Sequence, residues 1–498
     1  MRKVFYAGCL VAVSVPVAGL ITERLYPRIR GSVSGSNSLD QISHHGADHM
    51  TTGIKGGYPC SYYAAVVKEP FIERESINQD LETDVCVIGA GLTGVSTALN
   101  LSEHGKKVIV LESKRVSWNA SGRNGGFAIP GFAVPPIEME EKYGTNIAKK
   151  YYKMTLDGSN NVKRQIEQYN IQCDFQDKGY LELSSYKESD FDEDMDTINK
   201  RLGTSLEFWD KEKTRKYYKT DFYHWGVLDK DSFIVNPLGL TLGIARAAEL
   251  NGTKIFEDSP AIKIENCSVK PSSKTKFIVH AKGKDDKPYQ ISCNNVVLAG
   301  SCHIDSSLNW KLSRGTSPLF TYIGVTKPLS REVLDKIISE DALFSVADDT
   351  TEINYFRITP DNRLLWGTFA QSFERNHSHL KKDIHSVITN VFPIIKDDIE
   401  TEYVWGGDIA MTHHMIPLIG KVQPGYYYAT GFGGHGVIPT NTAGMMVSNA
   451  IISGDDTEID NFQKLFPMTY VGWPMDRFFV QSYILYEKII EIITKMFE

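Results

Sequence analysis

The stretch that decides the fold is Asp84-Val-Cys-Val-Ile88 and Gly89-Ala-Gly-Leu-Thr-Gly94, followed by a helical run to His104, Lys107-Val-Ile-Val-Leu111 and Glu112. Asp84 to Ile88 is a short β-branched run, which reads as a strand. Val95, Ala98, Leu99 and Leu101 then recur at helical spacing, and Gly105 ends the helix. Lys107 to Leu111 is a second strand with Glu112 at its tip. The whole is a β-α-β unit of about thirty residues, and each part has a physical role. Gly89 permits the tight turn, Gly91 lets the backbone approach a pyrophosphate with no Cβ in the way, and Gly94 lets the helix pack closely on the strand. The N–H groups at Leu92 and Thr93 stand at the positive end of the helix dipole, facing the phosphates. Glu112 can accept hydrogen bonds from a ribose diol. The unit marks a dinucleotide site without separating a flavin from a nicotinamide.

A second glycine-rich entry to a helix lies far downstream. Gly431-Phe-Gly-Gly-His-Gly436 follows the strand-like Tyr426-Tyr-Tyr-Ala429 and precedes the apolar stretch Val437 to Ile452, with Pro439 in the first turn. Such an entry is an anion site. Beside an isoalloxazine it would stabilise the negative charge that develops around N1 and the C2 carbonyl on reduction. An ordinary glycine-rich loop explains the turn but not its pairing with the first motif, so the two together favour flavin.

Glu112 is followed at once by Ser113-Lys-Arg-Val-Ser-Trp-Asn-Ala-Ser-Gly-Arg-Asn-Gly-Gly126. Here the sequence resembles the D-amino-acid-oxidase-like (DAO) FAD-dependent oxidoreductases, and most of all the branch containing γ-glutamylputrescine oxidoreductases. The resemblance runs through Ser61-Tyr-Tyr-Ala64, Gly89 to Glu112, Trp118 to Gly126 and Asn295-Val-Val-Leu-Ala-Gly300. It continues in Tyr355-Phe-Arg357 with Asp361 and Arg363-Leu-Leu365, then Trp405-Gly-Gly407 and Gly431 to Gly436. It covers roughly residues 58 to 455. It implies an α/β fold: a Rossmann-like FAD-binding domain with a parallel sheet, interleaved with an α+β substrate domain of mostly antiparallel sheet.

By the same resemblance the cofactor-binding residues include Gly89, Gly91, Leu92, Thr93, Gly94, Glu112, Ser121, Gly122, Arg123, Asn124, Gly125 and Gly126. Ala261, Ala299, Gly300, Gly433, Gly434, His435, Gly436 and Val437 complete the set. Arg123 to Gly126 would lie along the flavin ring, although Arg123 read by itself also fits a surface salt bridge. Pro260-Ala261-Ile262 corresponds to the segment whose backbone meets the adenine. Relatives that tether FAD covalently carry histidine where this chain has Asn119, or cysteine where it has Asn354, so the FAD is expected to be non-covalent.

On the substrate side, Gly179-Tyr-Leu-Glu-Leu183, Leu319-Phe-Thr-Tyr-Ile-Gly-Val325 and Leu364-Leu-Trp-Gly367 read as strands of a sheet that roofs the flavin. Alternation puts Tyr355, Arg357 and Thr359 on one face. Arg357 then holds a substrate carboxylate by a two-pronged hydrogen bond, or is an interior or rim salt-bridge arginine. Tyr355 would position the amine. His435 would assist amine deprotonation or serve as a structural hydrogen-bonding group. His413-His414 faces either the pocket or solvent. No Ser/His/Asp or paired-carboxylate constellation stands out, and hydride transfer to flavin needs none.

With 498 residues the chain accommodates two interleaved domains. The expected divisions are 1–30 as a signal or anchor, 31–57 as a linker, 58–168, 226–311 and 406–455 as the FAD-binding domain, 169–225 and 312–405 as the substrate domain, and 456–498 as a helical tail. The net charge of −7 offers no field for a phosphate backbone, which excludes nucleic acid as an expected partner. Seven scattered cysteines lack a Cys-x-x-Cys, so neither a disulfide framework nor a metal site is expected, and Cys302-His303 reads as incidental. Val4 to Ile21 is apolar or small throughout; its eighteen residues reach roughly 27 Å as a helix, which suits organelle targeting or membrane anchoring. Ile484 to Met496 has helical spacing and reads as a docked helix, with membrane contact the alternative. Unpaired cysteines, and glycosylation triplets at Asn100 and Asn119 inside the cofactor core, lean against an oxidising secretory destination.

The sequence therefore implies a flavoenzyme that oxidises the C–N bond of a small amine or amino acid to an imine, with oxygen or another acceptor reoxidising the flavin. The alternatives are a 2-hydroxy-acid or polyol-phosphate dehydrogenase on the same fold, or a non-catalytic assembly factor that retains FAD.

Overall fold

The computed structural model describes residues 57–187, 189, 193–267, 276–375, 377–469 and 476–497. The apolar Val4 to Ile21 segment and all but the last residue of the 31–57 stretch lie outside them. Among the described residues no helix is long and apolar enough to cross a membrane.

Two eight-stranded sheets organise the chain. In the first, the strands run Leu418–Gln423, Tyr426–Thr430, Pro288–Leu298, Leu81–Ile88, Val108–Leu111, Lys254–Phe256 across the sheet. From Tyr426–Thr430 to Lys254–Phe256 every pairing is parallel. Parallel strands need crossover connections, and helices Leu92–Glu103 and Pro237–Leu250 serve as two of them. Ala261–Asn266 and Phe277–Lys282 extend the sheet antiparallel beside Pro288–Leu298.

Helix Leu92–Glu103 is buried along nearly its whole circumference, not on one side only. It is wedged between helices Pro237–Leu250 and Val437–Ser453, so its polar residues face protein rather than water. They are satisfied locally: Thr97 Oγ1 donates to the Thr93 carbonyl at 2.7 Å, and Ser448 Oγ donates to the Thr97 carbonyl at 3.2 Å.

The second sheet runs Thr401–Met411, Ser317–Thr326, Leu364–Gln371, Tyr355–Ile358, Ser345–Asp348, Tyr180–Ser184, Trp225–Asp229, Leu206–Trp209. All its pairings are antiparallel except Ser345–Asp348 with Tyr180–Ser184. Trp225–Asp229 and Thr401–Met411 are full strands of this sheet, so the chain leaves it after 229 and 411 rather than at 225 and 405. Its far face holds a separate core in which Phe356 and Trp366 stack at 4.4 Å and Phe392 meets both edge-on.

The tail forms helix Asp476–Phe497, which docks on the rim of the second sheet. Its Gln481 and Glu491 side chains accept from the backbone N–H groups of Ser372 and Thr351 at 3.1 and 2.9 Å, and Ile484 is buried. Leu485, Tyr486, Ile489, Ile492, Ile493 and Met496 remain exposed on its other face.

The long helix Thr145–Gln168 crosses Val437–Ser453 at Gly158, where an added Cβ would lie 2.1 Å from Thr442 Oγ1. Gly158→Val should overpack this crossing and lower the unfolding free energy by about 1–3 kcal/mol, read from urea denaturation of the purified protein.

Candidate active site

The carboxyl ends of the central parallel strands form the first half of the site. Gly89 N–H donates to the Leu111 carbonyl at 2.8 Å and adopts φ +102°. A Cβ at Gly89 would lie 2.6 Å from the Ala299 carbonyl oxygen, so Ala299-Gly300 press directly on the first turn. A Cβ at Gly94 would fall 1.8 Å from the Gly89 carbonyl oxygen. At the head of the helix, Leu92 N–H donates to Ser121 Oγ at 2.9 Å, and a Cβ on Gly91 would crowd that hydroxyl at 2.9 Å.

Glu112 is half-buried and divided between two loops. Its Oε2 accepts from Ala90 N–H and its Oε1 from Lys114 N–H, each at 2.8 Å. Burial pushes its carboxyl up while those two N–H groups oppose the shift. The Glu112 carbonyl accepts from Ser259 N–H at 2.8 Å, which sets Pro260-Ala261 beside the end of the strand. Glu257 supports the same corner, accepting from Val116 N–H at 2.9 Å and Arg115 Nη1 at 2.7 Å.

The turn from Trp118 to Gly126 is shaped from within. Asn124 donates from Nδ2 to the Ala120 carbonyl at 2.9 Å and accepts at Oδ1 from Gly126 N–H at 2.8 Å. A Cβ on Gly122 would lie 2.4 Å from the Ser117 carbonyl oxygen. Arg123 is buried, and donates to the Trp118 and Gly406 carbonyls at 2.8 and 3.3 Å. It is therefore an interior arginine joining the two sheets, not a surface one.

The second sheet presents Tyr355 and Arg357 to this turn. Arg357 Nε donates to the Gly125 carbonyl at 2.9 Å, and its Nη2 reaches the Val235 carbonyl at 3.3 Å and Tyr63 Oη at 3.4 Å. Only 4% of Arg357 is exposed, and no carboxylate among the described residues pairs with it. The Tyr355 ring lies over Gly367, where a Cβ would be 1.9 Å from Cζ, and against Gly125 at 3.1 Å. Burial raises the Tyr355 phenol, keeping it neutral.

The late loop closes on the same region. Gly433 N–H donates to the Ala410 carbonyl at 3.0 Å, and Gly431, Gly433 and Gly434 all have positive φ. His435 Nε2 lies 3.1 and 3.3 Å from the Ile129 and Pro130 carbonyls, just downstream of Gly126. Two carbonyls require a hydrogen on Nε2, which leaves the lone pair on Nδ1; burial holds the ring neutral by lowering its pKa. His414 is half-buried. It packs near Phe466, its Nδ1 accepts from Ile416 N–H at 3.2 Å, and burial lowers its pKa to about 4.

The donor set fits an FAD. Helices Leu92–Glu103 and Val437–Ser453 both begin at glycines, Gly91 and Gly436, which supply no capping side chain; Ser121 Oγ takes the Leu92 N–H, and the positive dipole ends of both helices suit the anionic parts of the cofactor. Residues 84–450 match the FAD-dependent oxidoreductase family (DAO). The chain belongs to that family. It is 35% identical to a probable oxidoreductase OrdL of Haemophilus influenzae, over 83% of this chain and 92% of the relative. It is 29% identical to γ-glutamylputrescine oxidoreductase of Escherichia coli, over 81% and 91%. Among solved structures it is similar to glycine oxidase from Geobacillus kaustophilus, with TM-score 0.61 at 15% identity over 78% of this chain and 99% of that one. The protein is an FAD-dependent oxidoreductase.

Sequence reasoning missed Tyr63 and Trp405. Tyr63 is fully buried, edge-on to Trp405 at 5.4 Å, and Trp405 Nε1 donates to the Arg123 carbonyl at 2.9 Å. Both fall within motifs quoted above, but only the three-dimensional contacts show them bracing the arginines.

His414 binds its proton more readily unfolded (about 6.5) than folded (about 4), so its neutral burial favours the folded state at neutral pH and that contribution is lost on acidification. Compared with His414→Gln, the native flavoenzyme should lose stability progressively as the pH falls from about 6.5 towards about 4. Urea denaturation of both proteins across that range checks this; a constant difference would contradict it.

Proposed function

We propose that the protein oxidises the C–N bond of a small amine carrying a carboxylate, taking a hydride from carbon and a proton from nitrogen. The resulting imine is hydrolysed by water. FAD, held without a covalent bond, supplies the hydride acceptor, and oxygen or another acceptor regenerates it.

One observation carries the substrate class: Arg357 is buried beside Gly125, and its partners among the described residues are carbonyls and the hydroxyl and ring of Tyr63, with no carboxylate. An unpaired buried cation is expensive, and a substrate carboxylate arriving there would meet a charge-assisted hydrogen bond at little further desolvation cost. Tyr355, neutral and fixed over Gly367, flanks the same place and positions the amine. His435, also neutral, offers its Nδ1 lone pair to a proton. The name of the Escherichia coli relative, a γ-glutamylputrescine oxidoreductase, and that of glycine oxidase both fit an amine that also bears a carboxylate.

The test is anaerobic mixing of the flavoenzyme with matched amines, with and without a carboxylate, and with 2-hydroxy acids, following flavin bleaching. Carboxylated amines should bleach it fastest; bleaching by hydroxy acids alone would overturn the proposal. Arg357→Met should raise the apparent Kd for the carboxylated amine about 10- to 100-fold while leaving the uncharged analogue nearly unaffected.

In the same reading Glu112 holds the ribose side of the cofactor through the Ala90 loop. Glu112→Ala strands the Ala90 and Lys114 N–H groups and should weaken FAD retention about 10-fold or more, read from flavin fluorescence released on dilution.

A further inference from the structure

Cys302 and His303 follow Gly300 and Ser301, just past the end of a parallel-sheet strand, while Asp408 lies on the Thr401–Met411 strand of the other sheet. The fold brings their ligand atoms within 4.8 Å of one another. We propose that Cys302, His303 and Asp408 form a zinc site that staples the two sheets together at the edge of the cofactor crevice.

The distances and the donor types both fit zinc. Tetrahedral zinc with Zn–S near 2.3 Å and Zn–N and Zn–O near 2.0 Å holds sulfur and oxygen ligands about 3.5 Å apart, and nitrogen and oxygen about 3.3 Å apart. Cys302 Sγ lies 3.5 Å from Asp408 Oδ2, and His303 Nε2 lies 3.1 Å from the same oxygen. Thiolate is a soft donor, imidazole a borderline one and carboxylate a hard one, a mixture that zinc accepts, and three protein ligands leave the fourth position for water.

Protons alone cannot satisfy this cluster. Asn119 Nδ2 contacts Asp408 Oδ1 and also lies 2.6 Å from His303 Nε2, while Asn119 Oδ1 is buried with no partner. If His303 carries hydrogen on Nε2 to serve Asp408, that hydrogen meets the amide hydrogens of Asn119. If Nε2 is bare, its lone pair faces the carboxylate. If the amide is flipped, its oxygen meets Asp408 Oδ1. Each arrangement leaves one like-to-like contact at a carboxylate that is only 8% exposed. A cation between the three ligands takes the imidazole lone pair, the thiolate and Oδ2, so that no lone pair faces another; the Asn119 amide, 2.6 Å from Nε2 without the metal, then turns from that nitrogen and donates to the outer carboxylate oxygen alone as a ligand-orienting group.

The experiment measures metal in the flavin-loaded protein expressed with zinc present, and in Cys302→Ser, Asp408→Asn and Asn119→Ala. One zinc per chain is expected, falling below one-tenth occupancy in the first two variants, with affinity about 10-fold weaker in Asn119→Ala. Flavin content and far-ultraviolet circular dichroism verify that each variant folds. Should a variant not fold, cobalt loading of the native protein still decides: a thiolate-to-cobalt charge-transfer band, with Cys302 shielded from iodoacetamide by the metal, supports the site. No zinc in the native protein and no such band, or zinc retained at full occupancy in both ligand variants, overturns it.

Discussion

The architecture depends on one steric constraint: main chain must touch main chain where the central strands end. Leu81–Ile88 lies between Pro288–Leu298 and Val108–Leu111, so three carboxyl ends emerge side by side, and Gly89 and Ala299 meet with no room for a Cβ. This packing sets the crevice at the end of a parallel sheet, where α/β folds place their ligands. Everything else in the site is keyed to it. Ser121 reaches the helix that starts at Gly91, Glu112 reaches back to Ala90, and the late loop arrives through the neighbouring Tyr426–Thr430 strand.

The second sheet is joined to this crevice mainly by arginines that donate to backbone carbonyls. Arg123 links its own turn to Gly406, and Arg357 links Gly125 to Val235. A planar guanidinium can serve several carbonyls at fixed angles, which a lysine cannot. Tyr63 and Trp405 fill the space behind them, so the cationic heads are held by packing as well as by hydrogen bonds.

How much of this could be read from the chain follows from how local each signal is. The β-α-β unit is contiguous, and the glycines that shape it are local punctuation; the interrupted strands between the motifs announce a second sheet, whereas its mostly antiparallel pairing is what the family resemblance implies. The burial of helix Leu92–Glu103 on all sides was hidden, because the helix that covers its outer face is Val437–Ser453, more than three hundred residues later. The partners of Arg357 and of Asn119 were hidden for the same reason. Tyr63 lies 294 positions from Arg357, and Asp408 lies 289 positions from Asn119. A dipeptide such as Cys302-His303 carries no sign of a carboxylate supplied from another sheet.

Charge balance in the crevice ties the proposed substrate to the chemistry. Losing a hydride from carbon requires the nitrogen lone pair, so the amine must be uncharged when it reacts. Arg357 is a cation with no carboxylate partner among the described residues, and His435 and Tyr355 are held neutral by burial. An ammonium entering beside Arg357 would add a second buried positive charge, whereas a substrate with a carboxylate and a neutral amine cancels the first. The same arginine that would capture the carboxylate therefore also favours the protonation state that hydride loss demands, so binding and activation would draw on one unpaired charge.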